Sequence, residues 1–201
     1  MTRPWRLGLT GSIGMGKSTT AGLFREQGVP VWDADASVHA LYARGGAAVP
    51  AIAALVPAAI EDGAVRRDRL RAAIVADPGL LGRIEAVVHP LVAADRAAFL
   101  AAHRDAALVL LDIPLLFETG GAGLVDEILV VSAPAEVQRA RVLERPGMDA
   151  AALEHILARQ LSDADKRARA HHVLDTSRGM AVARADVAAL LARIRQERHD
   201  A

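Results

Sequence analysis

Residues 11 to 18 read Gly11-Ser12-Ile13-Gly14-Met15-Gly16-Lys17-Ser18, which fits the pattern G-x-x-x-x-G-K-[ST]. Glycine matters here through what it lacks: no side chain blocks the backbone N–H groups from turning inward around phosphate oxygens. Lys17 would then reach the β- and γ-phosphate oxygens, and the Ser18 hydroxyl would ligate Mg²⁺. Thr19 would open a helix whose positive end faces the same anion. A chain with this content of glycine, lysine and hydroxyl residues produces the pattern by chance roughly 0.0007 times. Gly11 to Thr19 is therefore read as a phosphate-binding loop.

Carboxylates in two other places suit the same chemistry. The apolar run Leu108 to Leu111 ends in Asp112, where an acid can orient Mg²⁺ or its water shell; it can equally be a turn initiator. Asp33-Ala34-Asp35 closes another apolar run. Strand alternation sends its two carboxylates in different directions, one free to take a proton from an attacking hydroxyl. Asp35 would serve as N-cap of a helix from Ala36 to Tyr42. Residues 139 to 169 hold Arg139, Arg141, Arg145, Arg159, Lys166, Arg167 and Arg169, a set suited to closing over phosphates or to an ordinary solvated surface. His89, before Pro90, reads as a helix end or a satisfied core residue. His171-His172 lacks partners at ligand spacing and is not read as a metal site.

These residues need a scaffold, and the hydropathy pattern supplies one. Short apolar runs at Trp5 to Thr10, Val29 to Trp32, Ala107 to Leu111, Ile128 to Val131 and His172 to Leu174 read as strands. Helical spacing fills the intervals, including Thr19 to Gln27 and a C-terminal stretch with Val187, Leu190, Leu191 and Ile194. The alternation predicts an α/β fold: a doubly wound parallel five-stranded sheet whose ligands sit at the strands' carboxyl ends. The expected division is one domain with a core (about 1–35, 105–138 and 170–201), a helical substrate subdomain (about 36–104) and a helical lid (about 139–169).

Composition limits the partners. The 201 residues are 52% hydrophobic with 24 basic and 24 acidic side chains, so no global field draws in nucleic acid or anionic lipid. Aromatic residues, at 3%, provide no stacking platform for single strands. There is no cysteine, which removes disulfides, thiolate metal sites and cysteine nucleophiles together. The weakly polar run Ala47 to Ile60 is broken by two prolines and falls short of the ~20 residues that cross a bilayer. A cytoplasmic location is expected, with no nucleic-acid or membrane partner; the oligomeric state is left open. From the residues alone, a small-molecule kinase, a nucleoside kinase and a nucleotide-sensing NTPase all remain open. A guanine-specific switch using Asn-Lys-x-Asp is excluded in a chain without asparagine.

Taken in order, Gly8 to Ser18, Asp33-Ala34-Asp35, His89-Pro90, Asp112-Ile113-Pro114-Leu115-Leu116-Phe117-Glu118, Gln138 with Arg141 and Arg145, and Arg159-Gln160 with Lys166 closely resemble the dephospho-CoA kinase family. The resemblance runs through nearly the whole chain. It implies ATP-dependent phosphorylation of the 3′-hydroxyl of dephospho-CoA, with ATP and Mg²⁺ as cofactors. By the same resemblance Asp33 is the general base, Lys17 and Arg145 stabilise charge, and Arg141 joins the phosphate loop in binding nucleotide. Ser18 and Asp112 serve the metal, while Asp35, His89, Leu115, Glu118 and Arg159 lie toward the acceptor. Three departures stand out: Ser12 and Met15 within the loop, and Ala170-His171-His172-Val173-Leu174-Asp175-Thr176 where the family favours Ala-Asp-Tyr-Val-Ile-Asp-Asn.

Overall fold

Strand β1 (Trp5–Thr10) runs straight into the glycine-rich loop, and helix α1 (Lys17–Glu26) leads out of it. The computed structural model describes residues 3–199. After β2 (Val31–Asp33) the chain leaves the sheet, returning as β5 (Leu108–Asp112), β6 (Glu127–Ser132) and β7 (His172–Asp175). The five strands lie in the order β2-β5-β1-β6-β7, with β1 parallel to both β5 and β6, and β6 parallel to β7. Parallel pairing requires crossovers, and these are the helices.

The sheet is apolar on both faces, as its unbroken hydrophobic runs require. Leu7, Leu9, Leu108, Leu110, Leu129 and Val131 join a cluster that α1 and the C-terminal helix α9 (Met180–His199) cover with Leu23, Phe24, Val187, Leu191 and Ile194. Alternate residues Ile128 and Val130 face the other way, against Leu116. Helices α6 (Ala135–Leu143), α7 (Ala150–Leu157) and α8 (Asp163–Ala168) occupy the Arg-bearing stretch between β6 and β7.

The chain divides into two compact units, the second spanning Asp33–Ala102 and the first holding the rest. The second unit contains α2 (Ala34–Tyr42), α3 (Val49–Leu55), α4 (Arg67–Ala76) and α5 (Gly79–Ala102) around its own cluster of Ile52, Val56, Leu70, Leu80, Ile84 and Val88.

Several expectations are corrected. The stretch expected to be helical contains an antiparallel hairpin, β3 (Ile60–Glu61) with β4 (Ala64–Val65), turning at Asp62 (φ 51°) and Gly63 (φ 75°). An Asp-Gly pair with both φ positive is the two-residue turn whose twist matches flanking strands. Helix α1 starts at Lys17 rather than Thr19, because Gly16 (φ 84°) already makes the turn into the helix. Strand β2 begins at Val31, since the Val29 N–H is spent on the Phe24 carbonyl at the end of α1. Asp33, not Asp35, caps α2: the helix opens at Ala34, and Asp33 Oδ1 accepts from the Ala36 N–H at 3.0 Å. His89 is neither at a helix end nor in the core. It is exposed in the middle of α5, which continues through Pro90 although that residue leaves the Ala86 carbonyl without its helical donor. No helix among the described residues is long and apolar enough to cross a membrane.

Candidate active site

The loop's shape follows from its glycines. Gly14 (φ 78°) and Gly16 (φ 84°) occupy the left-handed region that other residues adopt only at a cost. A Cβ on Gly11 would lie 2.6 Å from a Val131 methyl and 2.8 Å from the Val131 carbonyl oxygen, so the loop is pressed against β6 with no room for a side chain. Met15, at an unconstrained position of the pattern, is 2% exposed and joins the main core; the departure at that position becomes a packing contact.

Three successive carbonyls of the loop are tied from outside by side chains. Gln138 Nε2 donates to the Ile13 oxygen at 2.7 Å, Arg141 to the Gly14 oxygen at 3.5 Å, and Thr176 Oγ to the Met15 oxygen at 3.0 Å. Thr176 is itself held, its hydroxyl accepting from Arg141 at 2.9 Å and its carbonyl at 2.7 Å. The first N–H groups of α1, at Lys17, Ser18 and Thr19, have no intrahelical acceptor, and Gly16 supplies no side-chain cap. Outward carbonyls and unspent amides make this helix start an anion receptor.

Lys17 and Asp112 complete it. Lys17 Nζ lies 2.6 Å from Asp112 Oδ1, and the Asp112 side chain is 1% exposed at the carboxyl end of β5. A carboxylate so deep would be costly without its cation, so the pair fixes both groups at the loop. Ser18 and Thr19 are exposed beside them.

The other expected residues fall in both units. Arg141 faces the loop, whereas Arg145 is exposed just beyond α6 and Arg159 is exposed just beyond α7. Leu115 is 40% exposed in the turn after β5. Glu118 is an exposed residue whose Oε1 accepts from the Leu161 N–H at 2.8 Å and lies 2.8 Å from the fully buried Lys166 Nζ. Burial raises the Glu118 pKa, but the Lys166 ammonium and the Leu161 N–H outweigh it and hold the carboxyl below its ordinary value. Asp33, Asp35 and His89 belong to the second unit: Asp33 as a cap, Asp35 exposed in the first turn of α2, His89 exposed on α5.

Sequence reasoning gave no role to Gln138, Gln160, Thr176 or the Ser132–Asp163 hydrogen bond of 2.8 Å that ties the end of β6 to α8. Each acts on a partner remote in the chain, so spacing named no partner, although Gln138 and Gln160 stand in the family pattern. Thr176 was visible as a departure from the family pattern. There the last strand ends in Asp175, whose carboxyl the Ser177 hydroxyl and N–H hold below its ordinary value. Among the described residues no group of three or more His, Cys, Asp and Glu is placed to hold a metal ion.

The dephospho-CoA kinase family model matches residues 5–181. A dephospho-CoA kinase of Cereibacter sphaeroides is 63% identical over 194 residues, covering 96% of this chain and 98% of the relative. Among solved structures, a Thermus thermophilus protein is 35% identical with a TM-score of 0.81, covering 96% of this chain and 98% of that one. The Campylobacter jejuni dephospho-CoA kinase, at 17% identity and a TM-score of 0.66 over 94% of this chain and 96% of its own, shares the fold.

Proposed function

The chain belongs to the dephospho-CoA kinase family, and from that premise we infer that it transfers the γ-phosphoryl group of ATP to the ribose 3′-hydroxyl of dephospho-CoA, yielding coenzyme A and ADP in the final step of coenzyme A biosynthesis. The observation that carries this reading is the Lys17–Asp112 pair at the mouth of a loop in which three successive carbonyls, of Ile13, Gly14 and Met15, are drawn outward. Such a loop presents N–H dipoles and one ammonium to a triphosphate, and phosphoryl transfer needs positioning and charge stabilisation above all.

Within that reaction the residues take distinct roles. The stretch from Gly11 to Thr19 cradles the phosphates, with the unspent N–H groups of Lys17, Ser18 and Thr19 turned to them, and Lys17 neutralises charge on the β- and γ-oxygens. Asp33 accepts the proton of the 3′-hydroxyl as that oxygen bonds to the γ-phosphorus; the bond to the bridging oxygen breaks, and its electron pair leaves with ADP. Arg145 meets charge on the transferring group, and Arg141 stands beside the nucleotide. Asp35, His89, Leu115 and Arg159 are assigned to the acceptor side. Glu118 is assigned instead to holding the lid segment, because its oxygen is engaged by Leu161 and Lys166.

Mg²⁺ fits the donor set. A hydroxyl at Ser18 and a carboxylate at Asp112 are what this ion takes when it keeps several waters and shares a nucleotide's oxygens. When held by Ser18 and Asp112 it would supply positive charge against the phosphoryl oxygens during transfer. The cytoplasm is the proposed location, supported by a chain without cysteine.

The test is an acceptor panel of dephospho-CoA, a nucleoside, a nucleoside monophosphate and a sugar, assayed for ADP formation with Mg²⁺. Dephospho-CoA should be preferred over each of the others by at least a hundredfold in kcat/KM; a better acceptor among them overturns the assignment. Asp33→Ala should lower kcat by about 10²- to 10⁴-fold while ATP affinity stays within about twofold. Equal losses of turnover and ATP affinity would remove Asp33 from the role of base.

A further inference from the structure

Ile13 sits at the crest of the phosphate loop, and side chains from either side of the lid segment claim both of its backbone groups. Its carbonyl, which can only accept, takes a hydrogen bond from Gln138 Nε2 on α6 at 2.7 Å. Its N–H, which can only donate, points to Gln160 Oε1 at 3.2 Å, just past the end of α7. Those constraints fix which end of each amide faces the loop: nitrogen for Gln138, oxygen for Gln160. Gln138 is 7% exposed and set in a helix, so its end of the clip is rigid.

Gln160 belongs to a different kind of element. It sits in the middle of the connector between α7 and α8, and α7 is an eight-residue helix with one buried residue, Leu153. Apolar packing that thin does not locate the connector. Polar contacts do: the Gln160 oxygen on Ile13, the Leu161 N–H on Glu118 Oε1 at 2.8 Å, and Asp163 Oδ2 on the Ser132 hydroxyl at 2.8 Å. The second anchor reaches the turn after β5 and the third the end of β6, while the first reaches the phosphate loop itself. Arg159, exposed, is the residue immediately before that first anchor.

We propose that Gln160 is a positioning residue of the phosphoryl-transfer site: its amide oxygen, on the Ile13 N–H, docks the α7–α8 connector on the crest of the phosphate loop and so sets where Arg159 stands. The docking uses only groups of the chain itself, the Gln160 amide oxygen and the Ile13 N–H. It leaves binding of the triphosphate to the loop's later N–H groups, whose conformation Gln138, Arg141 and Thr176 hold separately. Losing the Gln160 bond therefore costs turnover more than nucleotide affinity, since a misplaced Arg159 no longer holds the acceptor in line with the γ-phosphoryl group.

The turnover part of this inference rests on the kinase reading above, and the docking part does not; two measurements separate them. The first uses trypsin on the nucleotide-free protein, reading cleavage between Arg159 and Gln160. Gln160→Met, which keeps the length and loses the acceptor, should be cut there at least fivefold faster than wild type. Gln160→Glu, which keeps an acceptor oxygen at the same reach, should be cut within twofold of wild type. Equal cleavage of Gln160→Met and wild type, or Gln160→Glu cut as fast as Gln160→Met, overturns the docking. The second compares kcat with the ATP Kd measured calorimetrically without acceptor. Gln160→Met should lose about tenfold in kcat with Kd within twofold, whereas unchanged kcat, or a loss carried by Kd, overturns the positioning role. If wild type fails to turn over dephospho-CoA at all, the kinase reading falls, while the trypsin result still decides the docking.

Discussion

Thr176 shows what one hydroxyl does when a donor and an acceptor both depend on it. It donates to the Met15 carbonyl at 3.0 Å and accepts from Arg141 at 2.9 Å, so valine, nearly the same shape, would strand both groups. Leaving a partly buried donor or acceptor unpaired costs about 1–3 kcal/mol. Thr176→Val should accordingly weaken ATP binding by about five- to fiftyfold, measured by calorimetry, while Thr176→Ser stays within twofold of wild type. Equal affinity in all three proteins would remove Thr176 from the loop's support. The contrast with the loop itself explains what could be read in advance. Gly11 to Ser18 is legible because its chemistry is local, every N–H belonging to one short stretch of chain. Its supporters lie 125, 147 and 161 positions away, at Gln138, Gln160 and Thr176, where only the fold brings them to Ile13 and Met15. The cap of α2 was misread by two residues for a related reason: Asp33 and Asp35 are equally good caps, and the choice falls to where β2 ends.

Strand positions survived the step from sequence to structure best, because a strand buried on both faces must be apolar throughout. The hairpin at Asp62-Gly63 carried a legible turn signal, but two-residue strands are too short to show alternation against an alanine-rich helical background. The segment between β6 and β7 is the least legible part of the chain, since its short helices rest on polar anchors rather than on an apolar stripe. Glu118 is the chief of these, bonded to the Leu161 N–H and paired with Lys166. Its folded pKa is depressed below the ordinary value of 4.5. A depressed carboxyl contributes stability that is present above the unfolded value and is lost as pH falls through the folded one. Thermal melts from pH 6 down to pH 3 should therefore show wild type losing stability as acid is added. Glu118→Gln should start less stable at pH 6, because Lys166 is left buried without a counter-charge, and fall less steeply. Parallel curves for the two proteins would show that the Glu118 carboxylate is not linked to folding.

Two units with separate apolar cores imply two thresholds of stability within one chain. The sheet unit packs Leu7, Leu9, Phe24, Leu110, Leu129 and Val187 among others, whereas the unit spanning Asp33–Ala102 depends on a smaller cluster around Ile52, Ala59 and Ile84. Units with their own cores open on their own free-energy scale, and the smaller core opens first. Ile52 is 0% exposed, so Ile52→Ala leaves a cavity costing about 2–5 kcal/mol, a large share of what a cluster of that size contributes. Hydrogen exchange should show residues 33–102 losing protection in this variant, while β1, β5 and β6 keep theirs. Nucleotide binding should follow the same division, because the phosphate loop, Lys17, Asp112 and the lid segment's anchors all lie in the sheet unit. Ile52→Ala should keep its ADP affinity within about threefold while losing most dephospho-CoA-dependent turnover. Leu110→Ala, cut into the sheet's own core at 0% exposure, should lower protection in the sheet and ADP binding together. If Ile52→Ala instead abolished ADP binding as completely as Leu110→Ala, the two units would open as one cooperative core, and assigning nucleotide binding to the sheet unit would lose its physical basis.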